Sequence, residues 1–140
     1  MRYLDTSLLI PLYVEETRTS DAQSWMAGLA FEPLSISHWC VVEFHSALGI
    51  KSRRGELNEV NRIIVETAFQ RFLVTRSGWV DVRQEDFERA AEMCKHWSLS
   101  LRAGDALHLA IAERCGLTVC TLDRVMWTAA RSLGIPFETF

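Results

Sequence analysis

The chain has little of what several classes of protein require. No apolar run approaches the roughly 18 residues needed to span a bilayer, and the first residues, MRYLDTSLL, place an acid where a signal peptide needs apolar length. The four cysteines form no CxxC pair and most lie in apolar surroundings, so we expect reduced core thiols rather than a disulfide framework or a zinc site. We therefore expect a soluble, cytoplasmic protein with no role at a membrane.

Three common catalytic motifs are also missing. The sequence contains no HExxH, no GxSxG and no P-loop, which leaves metalloprotease, esterase and Walker-type nucleotide functions without support. No linker-like or low-complexity stretch interrupts the 140 residues, of which 49% are hydrophobic. This length and composition fit one compact domain, residues 1–140, with a sizeable core.

The chain does contain a regular alternation of short apolar runs and longer segments of helical period. This order is typical of an α/β fold in which helices flank a central parallel sheet. We predict four to five strands, at residues 2–4, 34–36, 79–82, 117–121 and 136–140. About seven helices are predicted at residues 7–14, 20–28, 38–53, 56–73, 84–97, 103–115 and 124–133.

Four acidic residues occupy unusual positions in this predicted fold. Asp5 follows the first strand and Asp123 follows the fourth, so both would lie at the carboxyl ends of parallel strands, where open sheets bind their ligands. Glu43 lies on an apolar helix face, where a carboxylate is costly unless something neutralises it. Asp105 opens the sixth helix and would point inward. We expect the four side chains to converge.

Each acid taken singly also has an ordinary structural explanation, except Glu43. Asp5 and Asp123 could cap the helices that follow them, and Asp105 could stabilise a helix N-terminus through the helix dipole. If the four converge, however, their carboxylates cannot all stay ionised without a cation between them. Ligands that are all oxygen favour Mg²⁺ or Mn²⁺. Such ions activate water and stabilise charge on phosphorus, so phosphodiester hydrolysis is the leading hypothesis.

The segments around these acids are distinctive as a set. They read YLDTSLLI (residues 3–10) followed by Glu15, SIS and VEF (within residues 35–44), LRAGDALHLAIA (residues 101–112) and TLDR (residues 121–124). Together they resemble the PIN-domain ribonucleases of the VapC toxin type, the nuclease half of toxin–antitoxin pairs. The resemblance implies a PIN-like fold in which the catalytic and metal-binding residues are Asp5, Glu43, Asp105 and Asp123.

The same resemblance implies further residues and partners. Thr6 and Thr121 take the positions of hydroxyls that brace the site in relatives. Such proteins cleave single-stranded or looped RNA, often tRNA or rRNA, and are neutralised by a cognate VapB-like antitoxin. Family resemblance also favours a homodimer. The chain departs from the common pattern at Met126 and Trp127, where many relatives carry another aromatic or a charged residue. This departure concerns the rim and the choice of target, and it leaves the four acids in place.

The charge balance is compatible with an RNA substrate. The formal net charge is −3, but without the four acids 14 acidic residues remain against 15 basic ones, of which 13 are arginine. Arginine suits bidentate phosphate contacts. Arg102 and Arg124 flank the two downstream aspartates, and Arg53 and Arg54 lie in the densest basic cluster, so all four are expected to bind substrate. The Arg53–Arg54 cluster could equally be a solvated helix end.

Alternative interpretations stay open for one side chain and for the protein as a whole. His108 could be a catalytic base, but we favour a supporting imidazole that hydrogen-bonds a carboxylate or carbonyl behind the metal ligands. The protein could bind RNA or a protein partner with little or no catalysis. It could also be a magnesium-dependent phosphotransfer or phosphatase domain, although its two lysines, Lys51 and Lys95, lie outside the predicted strand-end loops.

Overall fold

A parallel β-sheet forms the centre of the protein. The computed structural model describes residues 1–29 and 32–140. Within these residues the sheet has five strands in the order β3-β2-β1-β4-β5, all parallel. The strands are β1 (Arg2–Leu4), β2 (Leu34–Ser37), β3 (Ser77–Val80), β4 (Thr118–Cys120) and β5 (Phe137–Glu138). The α/β fold class predicted from the sequence is confirmed.

Seven α-helices accompany the sheet in the part of the chain that the structure describes. They are α1 (Thr6–Tyr13), α2 (Thr19–Gly28), α3 (His38–Arg53), α4 (Glu59–Thr75), α5 (Gln84–Lys95), α6 (Ala103–Cys115) and α7 (Arg124–Leu133). A 3-10 turn (Trp97–Leu99) joins α5 to α6. None of these helices combines the length and the apolar character that crossing a bilayer requires.

Two predicted elements were displaced along the sequence. The third strand was predicted at residues 79–82 from its apolar side chains, but it pairs with β2 from Ser77 to Val80. It is an edge strand whose side chains are exposed or only partly buried, so apolar content is a poor guide to its limits. The fourth helix was predicted to begin at residue 56, but it begins after Asn58, whose side chain accepts the N–H of Asn61 at 2.8 Å.

The cysteine prediction holds for some of the four thiols only. All four are free. Cys40 and Cys120 are buried in the core, and Cys115 is partly exposed. Cys94 is exposed, so the expectation of a core thiol is wrong there. Cys94 lies on the exposed surface of α5, which the apolar residues near it in the sequence do not reveal.

The strand order creates a crevice beside β1. After β1 the chain adds β2 and β3 on one side, and later adds β4 and β5 on the other. Ligands of open parallel sheets bind outside the carboxyl ends of the strands at such a switch of direction. Leu4 pairs with Cys120, and Asp5 N donates to Cys120 O at 3.2 Å. The residues that follow β1 and β4 therefore lie next to each other.

A buried ion pair holds α5 against α6. Arg114 Nε donates to Asp86 Oδ1 at 2.6 Å, and Asp86 is only 1% exposed. The other oxygen of Asp86 accepts the N–H of Arg83 at 2.8 Å and so caps the start of α5. Residues 106–112 of α6 are all buried. This packing fixes the helix whose first turn carries Asp105.

Substitution of Asp86 tests this helix pairing. We expect Asp86→Ala to lower the free energy of unfolding by about 2 kcal/mol, because it removes hydrogen bonds to a charged group and leaves Arg114 without its buried partner. Urea unfolding followed by circular dichroism measures the change. Glu85→Ala is the control, since Glu85 is 59% exposed and 3.6 Å from the same guanidinium, and a surface change of this kind is worth about 0.5 kcal/mol or less. Equal losses in the two variants would contradict the role given to Asp86.

Candidate active site

The four acids singled out from the sequence line one pocket. Asp5 comes from the end of β1, Glu43 from α3, Asp105 from the first turn of α6 and Asp123 from the turn between β4 and α7. The pocket has a volume of about 270 Å³. Its other lining residues are Thr6, Ser7, Ser46, Ala47, Ile50, His108 and Met126. Four segments that are far apart in the sequence thus meet at the crevice beside β1.

Three of the acids also have the helix-terminal roles considered above. Asp5 accepts a backbone N–H of α1 at 3.2 Å, and Asp123 accepts one of α7 at 2.9 Å. Asp105 accepts the N–H of the residue that precedes α6 at 3.3 Å. An acid that stabilises the start of a helix can therefore also be one of the acids that meet at the pocket. Because these helices begin at one edge of the sheet, the acids at their N-termini are brought to the same place.

Asp5 is the most deeply buried of the four acids and is held by hydroxyl groups. It is 2% exposed. Ser7 Oγ donates to Oδ1 at 2.8 Å, and Thr121 Oγ1 donates to Oδ2 at 2.9 Å. Burial raises the pKa of Asp5 to about 6, although the charge of His108 and these hydrogen bonds act in the opposite direction. Asp5 is thus fixed in position.

Ser7 joins the two strand ends and was missed by the sequence analysis. Its Oγ, which donates to Asp5, accepts the N–H groups of Leu122 at 2.9 Å and Asp123 at 3.1 Å. Ser7 therefore connects the segment after β1 with the segment after β4. The signal for it in the sequence was only its place in the DTS triplet, which does not tell which partners the hydroxyl will meet.

Glu43 is supported from behind by a buried histidine. Its Oε2 accepts from Thr6 Oγ1 at 2.8 Å and lies 2.6 Å from His108 Nε2. Burial raises the pKa of Glu43, but the hydrogen bond and the charge of His108 bring it below its ordinary value. Burial lowers the pKa of His108, whereas hydrogen bonds with Cys40 and Glu43 raise it, to about 10. The neutralising partner that an acid on this helix face requires is His108.

The remaining two acids repel each other across the pocket. Burial and then the negative charge of Asp123 raise the pKa of Asp105, and Glu43 adds to this effect. Within residues 1–29 and 32–140, however, no group of three or more His, Cys, Asp or Glu side chains lies close enough together to hold a metal ion. The donors are carboxylate and hydroxyl oxygens, which suit Mg²⁺ or Mn²⁺. Binding one ion through several of these acids would require their side chains to move together.

Gly104 is a second residue that the sequence analysis missed. A Cβ atom at this position would lie 2.5 Å from Glu43 Oε1 and 3.6 Å from Trp39 Cζ2. Gly104 stands in the first turn of α6, immediately before Asp105. The absence of a side chain therefore allows α3 and α6 to approach closely enough for Glu43 and Asp105 to share the pocket.

The four arginines expected to bind substrate are not among the residues described as lining the pocket. Arg102 precedes α6 and Arg124 begins α7, so each adjoins an acid of the pocket at a helix start. Both are exposed, and neither forms an ion pair with a residue that the structure describes. Arg53 and Arg54 are exposed at the far end of α3, and Arg54 lies 3.9 Å from Glu56. That arrangement matches the solvated helix end considered from the sequence.

Comparisons with known proteins identify a matching family model and several similar structures. The family model described as PIN domain matches residues 2–131. The chain is similar to VapBC2 from Rickettsia felis, bound to a DNA fragment from its promoter, with a TM-score of 0.72 and 14% identity over 99% of this chain and 98% of that one. It is also similar to VapC20 from Mycobacterium tuberculosis, described as a sarcin-ricin loop cleaving toxin, with a TM-score of 0.72 and 19% identity over 92% and 95% of the two chains.

A third similar structure is VapBC-5 from Mycobacterium tuberculosis, described as a member of the VapBC family of toxin-antitoxin systems. Its TM-score is 0.62, with 16% identity over 99% of this chain and 95% of that one. Because the sequence identities are low, the similarity to these three structures is evidence for the fold alone. No curated protein matches the sequence significantly.

The close approach at Gly104 can be tested by adding one methyl group. We expect Gly104→Ala to destabilise the protein by about 1–2 kcal/mol, because the Glu43 carboxylate must shift although hydrogen bonds with Thr6 and His108 hold its other oxygen in place. Gly49→Ala in α3 is the control. The nearest atom to its new Cβ is the end of the flexible Arg53 side chain at 3.4 Å, so alanine should stabilise that helix by about 0.5–1 kcal/mol. Urea unfolding measures both, and stabilisation of both variants would contradict the contact.

The raised pKa of Asp5 predicts a specific dependence of stability on pH. The folded protein keeps this proton up to about pH 6, whereas the unfolded chain releases it near pH 4. The contribution of the protonated Asp5 to the free energy of unfolding is therefore complete below about pH 4 and is lost as the pH rises through 6. Relative to Asp5→Asn, the wild type should lose about 1–3 kcal/mol across this interval in the presence of chelator. Urea unfolding at a series of pH values measures the difference, and an interval without change would contradict the assigned shift.

Proposed function

The chain belongs to the PIN domain family, whose model matches residues 2–131, and from this membership we propose that it is a metal-dependent endoribonuclease. It would hydrolyse phosphodiester bonds in RNA as the toxin of a toxin–antitoxin pair. The observation that carries this proposal is the pocket itself. Four acids from four distant segments line it at the switch point of a parallel sheet, where ligands of such sheets bind.

Asp5, Glu43, Asp105 and Asp123 would hold Mg²⁺ or Mn²⁺. When bound, the cation activates water and stabilises negative charge on the phosphate. The repulsion that raises the pKa of Asp105 supports this assignment, because a doubly charged cation offsets it. The other groups of the pocket orient the acids. Thr6 and His108 hold Glu43, and Thr121 holds Asp5, each through a hydrogen bond to the carboxylate.

An RNA substrate is supported by two arginines that lie beside the acids. Arg102 and Arg124 are exposed, adjoin Asp105 and Asp123 in the chain, and form no ion pair with a described residue. Free guanidinium groups in such places suit contacts with phosphate. A looped RNA, such as part of a tRNA or an rRNA, is the proposed class of target, in line with the description of VapC20 as a sarcin-ricin loop cleaving toxin.

A protein partner is supported by exposed apolar side chains on α4. The outer face of this helix carries Val60, Ile63, Ile64 and Val74, which are 53–84% exposed. Val60, Ile63 and Ile64 lie within little more than one turn of one another, and exposed apolar side chains grouped in this way are typical of protein interfaces. We propose that a cognate VapB-like antitoxin neutralises the protein, as the toxin-antitoxin description of VapBC-5 suggests, and that the protein itself is a homodimer.

A catalytically weak RNA- or protein-binding domain is the second candidate. It is favoured by one observation, that no described group of three acids or other ligands already stands at metal-binding distances. A phosphotransfer or phosphatase function has less support. Lys51 is ion-paired with Glu16 and Glu56 and does not line the pocket, so the cation that aspartyl-phosphate chemistry would need is engaged elsewhere.

Cleavage of RNA tests the proposed function. We expect the purified protein, freed of any inhibitor, to cut single-stranded or looped RNA with Mg²⁺ or Mn²⁺ and to stop when chelator is added. Asp105→Asn should lower the cleavage rate by at least about a hundredfold, because it removes one of the acids that hold the cation. Asp21→Asn is the matched control, since Asp21 is an exposed aspartate on α2, and its rate should equal that of the wild type.

The thermal midpoint with and without Mn²⁺ separates the candidates. Mn²⁺ should raise the midpoint of the wild type and of Asp21→Asn, because a ligand that binds the folded state stabilises it, and should raise that of Asp105→Asn less. Binding of RNA without cleavage after prolonged incubation with Mn²⁺ would favour the binding domain. Covalent labelling of an aspartate by acetyl phosphate would favour phosphotransfer.

A further inference from the structure

Behind Glu43, His108 belongs to a network of buried polar side chains whose other members have no role in the proposed reaction. Tyr3, Ser37, Cys40 and His108 are each 0–1% exposed. Tyr3 Oη lies 2.9 Å from His108 Nδ1 and 2.8 Å from Ser37 Oγ. Cys40 Sγ lies 3.4 Å from Tyr3 Oη and donates to Leu4 O at 3.3 Å. Apolar side chains would fill this part of the core at lower cost, so the network calls for an explanation.

With a neutral His108, the donors and acceptors of the network match completely. The Nε2–H group donates to Glu43, so Nδ1 must accept, and its partner at 2.9 Å is the Tyr3 hydroxyl. Tyr3 then donates to His108 and accepts from Ser37 Oγ. Every polar hydrogen in this chain of contacts has an acceptor within hydrogen-bonding distance.

With a protonated His108, the contacts of Nδ1, Tyr3 and Ser37 are kept, but the donor and the acceptor in each contact exchange roles. Nδ1–H donates to Tyr3 Oη, and Tyr3 donates to Ser37 Oγ. Ser37 Oγ in turn lies 3.5 Å from Cys40 Sγ. Hydroxyl groups can make this exchange because each is both a donor and an acceptor. In both states Nε2–H points at Glu43, so the network holds the imidazole in one orientation whatever its charge.

We propose that Tyr3 is a positioning residue, whose hydroxyl holds His108 so that its Nε2–H fixes the carboxylate of Glu43 at the pocket. This inference rests on the proposed function for its effects on Mn²⁺ binding and cleavage, but not for its effect on the imidazole. Tyr3 is suited to the role because β1 is the central strand and pairs with β2 and β4. Its side chain therefore extends from a strand that is paired on both sides. Groups that orient the ligands of a metal affect its affinity and activity strongly.

Tyr3→Phe removes the hydroxyl and keeps the ring. We expect it to weaken Mn²⁺ binding about tenfold in a calorimetric titration, and to lower kcat for RNA while leaving KM unchanged, because the substrate does not touch Tyr3. Tyr13→Phe is the matched control. Tyr13 packs against Phe44 and Phe69 outside the network, so its variant should bind Mn²⁺ and cleave as the wild type does. Equal Mn²⁺ affinity in the wild type and Tyr3→Phe would overturn the proposal.

The ring nitrogens of His108 give a readout that depends on neither cleavage nor metal. Long-range ¹H–¹⁵N spectra of the metal-free protein report which nitrogen carries a proton, and His108→Asn identifies the signals of His108 among the four histidines. We expect a protonated Nε2 in the wild type, with the Nδ1 resonance displaced in Tyr3→Phe and unmoved in Tyr13→Phe. A proton on Nδ1 alone in the wild type would overturn the proposal, and that measurement needs no variant at Tyr3 to fold.

Failure of the proposed function would look different from failure of this inference. If the wild type cleaves no RNA and binds no Mn²⁺, the nuclease proposal fails, while the histidine spectra still support or refute the role of Tyr3. If the wild type cleaves RNA and Tyr3→Phe matches it in rate, in Mn²⁺ affinity and in the Nδ1 resonance, the nuclease proposal stands and the positioning role falls.

Discussion

Repulsion between carboxylates at one edge of the sheet is the constraint on which this site depends. The strand order brings the ends of β1 and β4 together, and the first turns of α1, α6 and α7 meet there. The partial positive charge of helix N-termini and the charge of His108 offset part of the repulsion. They do not remove it, since burial first, and then the charges of Asp123 and Glu43, raise the pKa of Asp105. The fold thus tolerates the acids, and the remaining repulsion at Asp105 is the reason for proposing a cation there.

Helix capping and the proposed chemistry draw on the same residues. An acid at an N-cap lowers the free energy of its own helix, and this local effect operates in any protein. Here α1 and α7 have an acid at the N-cap and α6 has one in its first turn, and because all three helices begin at the same edge of a parallel sheet, three acids face one pocket. Asp5 and Asp123 would look ordinary in isolation. Their significance comes from the topology, which sets where the N-termini meet.

The part of the site that the sequence predicts is the part with local signals. Strand ends, helix starts and the four acids follow from patterns within a few residues, and they lead to a pocket in the structure. Ser7 does not follow in this way, because it meets Leu122 across 115 residues of sequence. The role of Gly104 could not be predicted for the same reason, since the residue that it contacts, Glu43, lies on another helix. The third strand was misplaced because it is an edge strand, where burial does not constrain which residues are apolar.

The four acids differ in how firmly they are held, and this difference bears on how a cation could bind. Asp5, which directly follows the central strand β1, and Glu43, which lies on α3, each accept hydrogen bonds from two side chains. Asp105 and Asp123 each accept a backbone N–H, with no side-chain donor among the described residues. Side-chain hydrogen bonds therefore hold one half of the pocket, and backbone hydrogen bonds alone hold the other. If Asp5 and Glu43 hold a cation, Asp105 and Asp123 could complete its ligands by turning toward it, because no described side chain donates a hydrogen bond to either, and a pocket without a ready-made ligand cluster could accommodate a cation in this way.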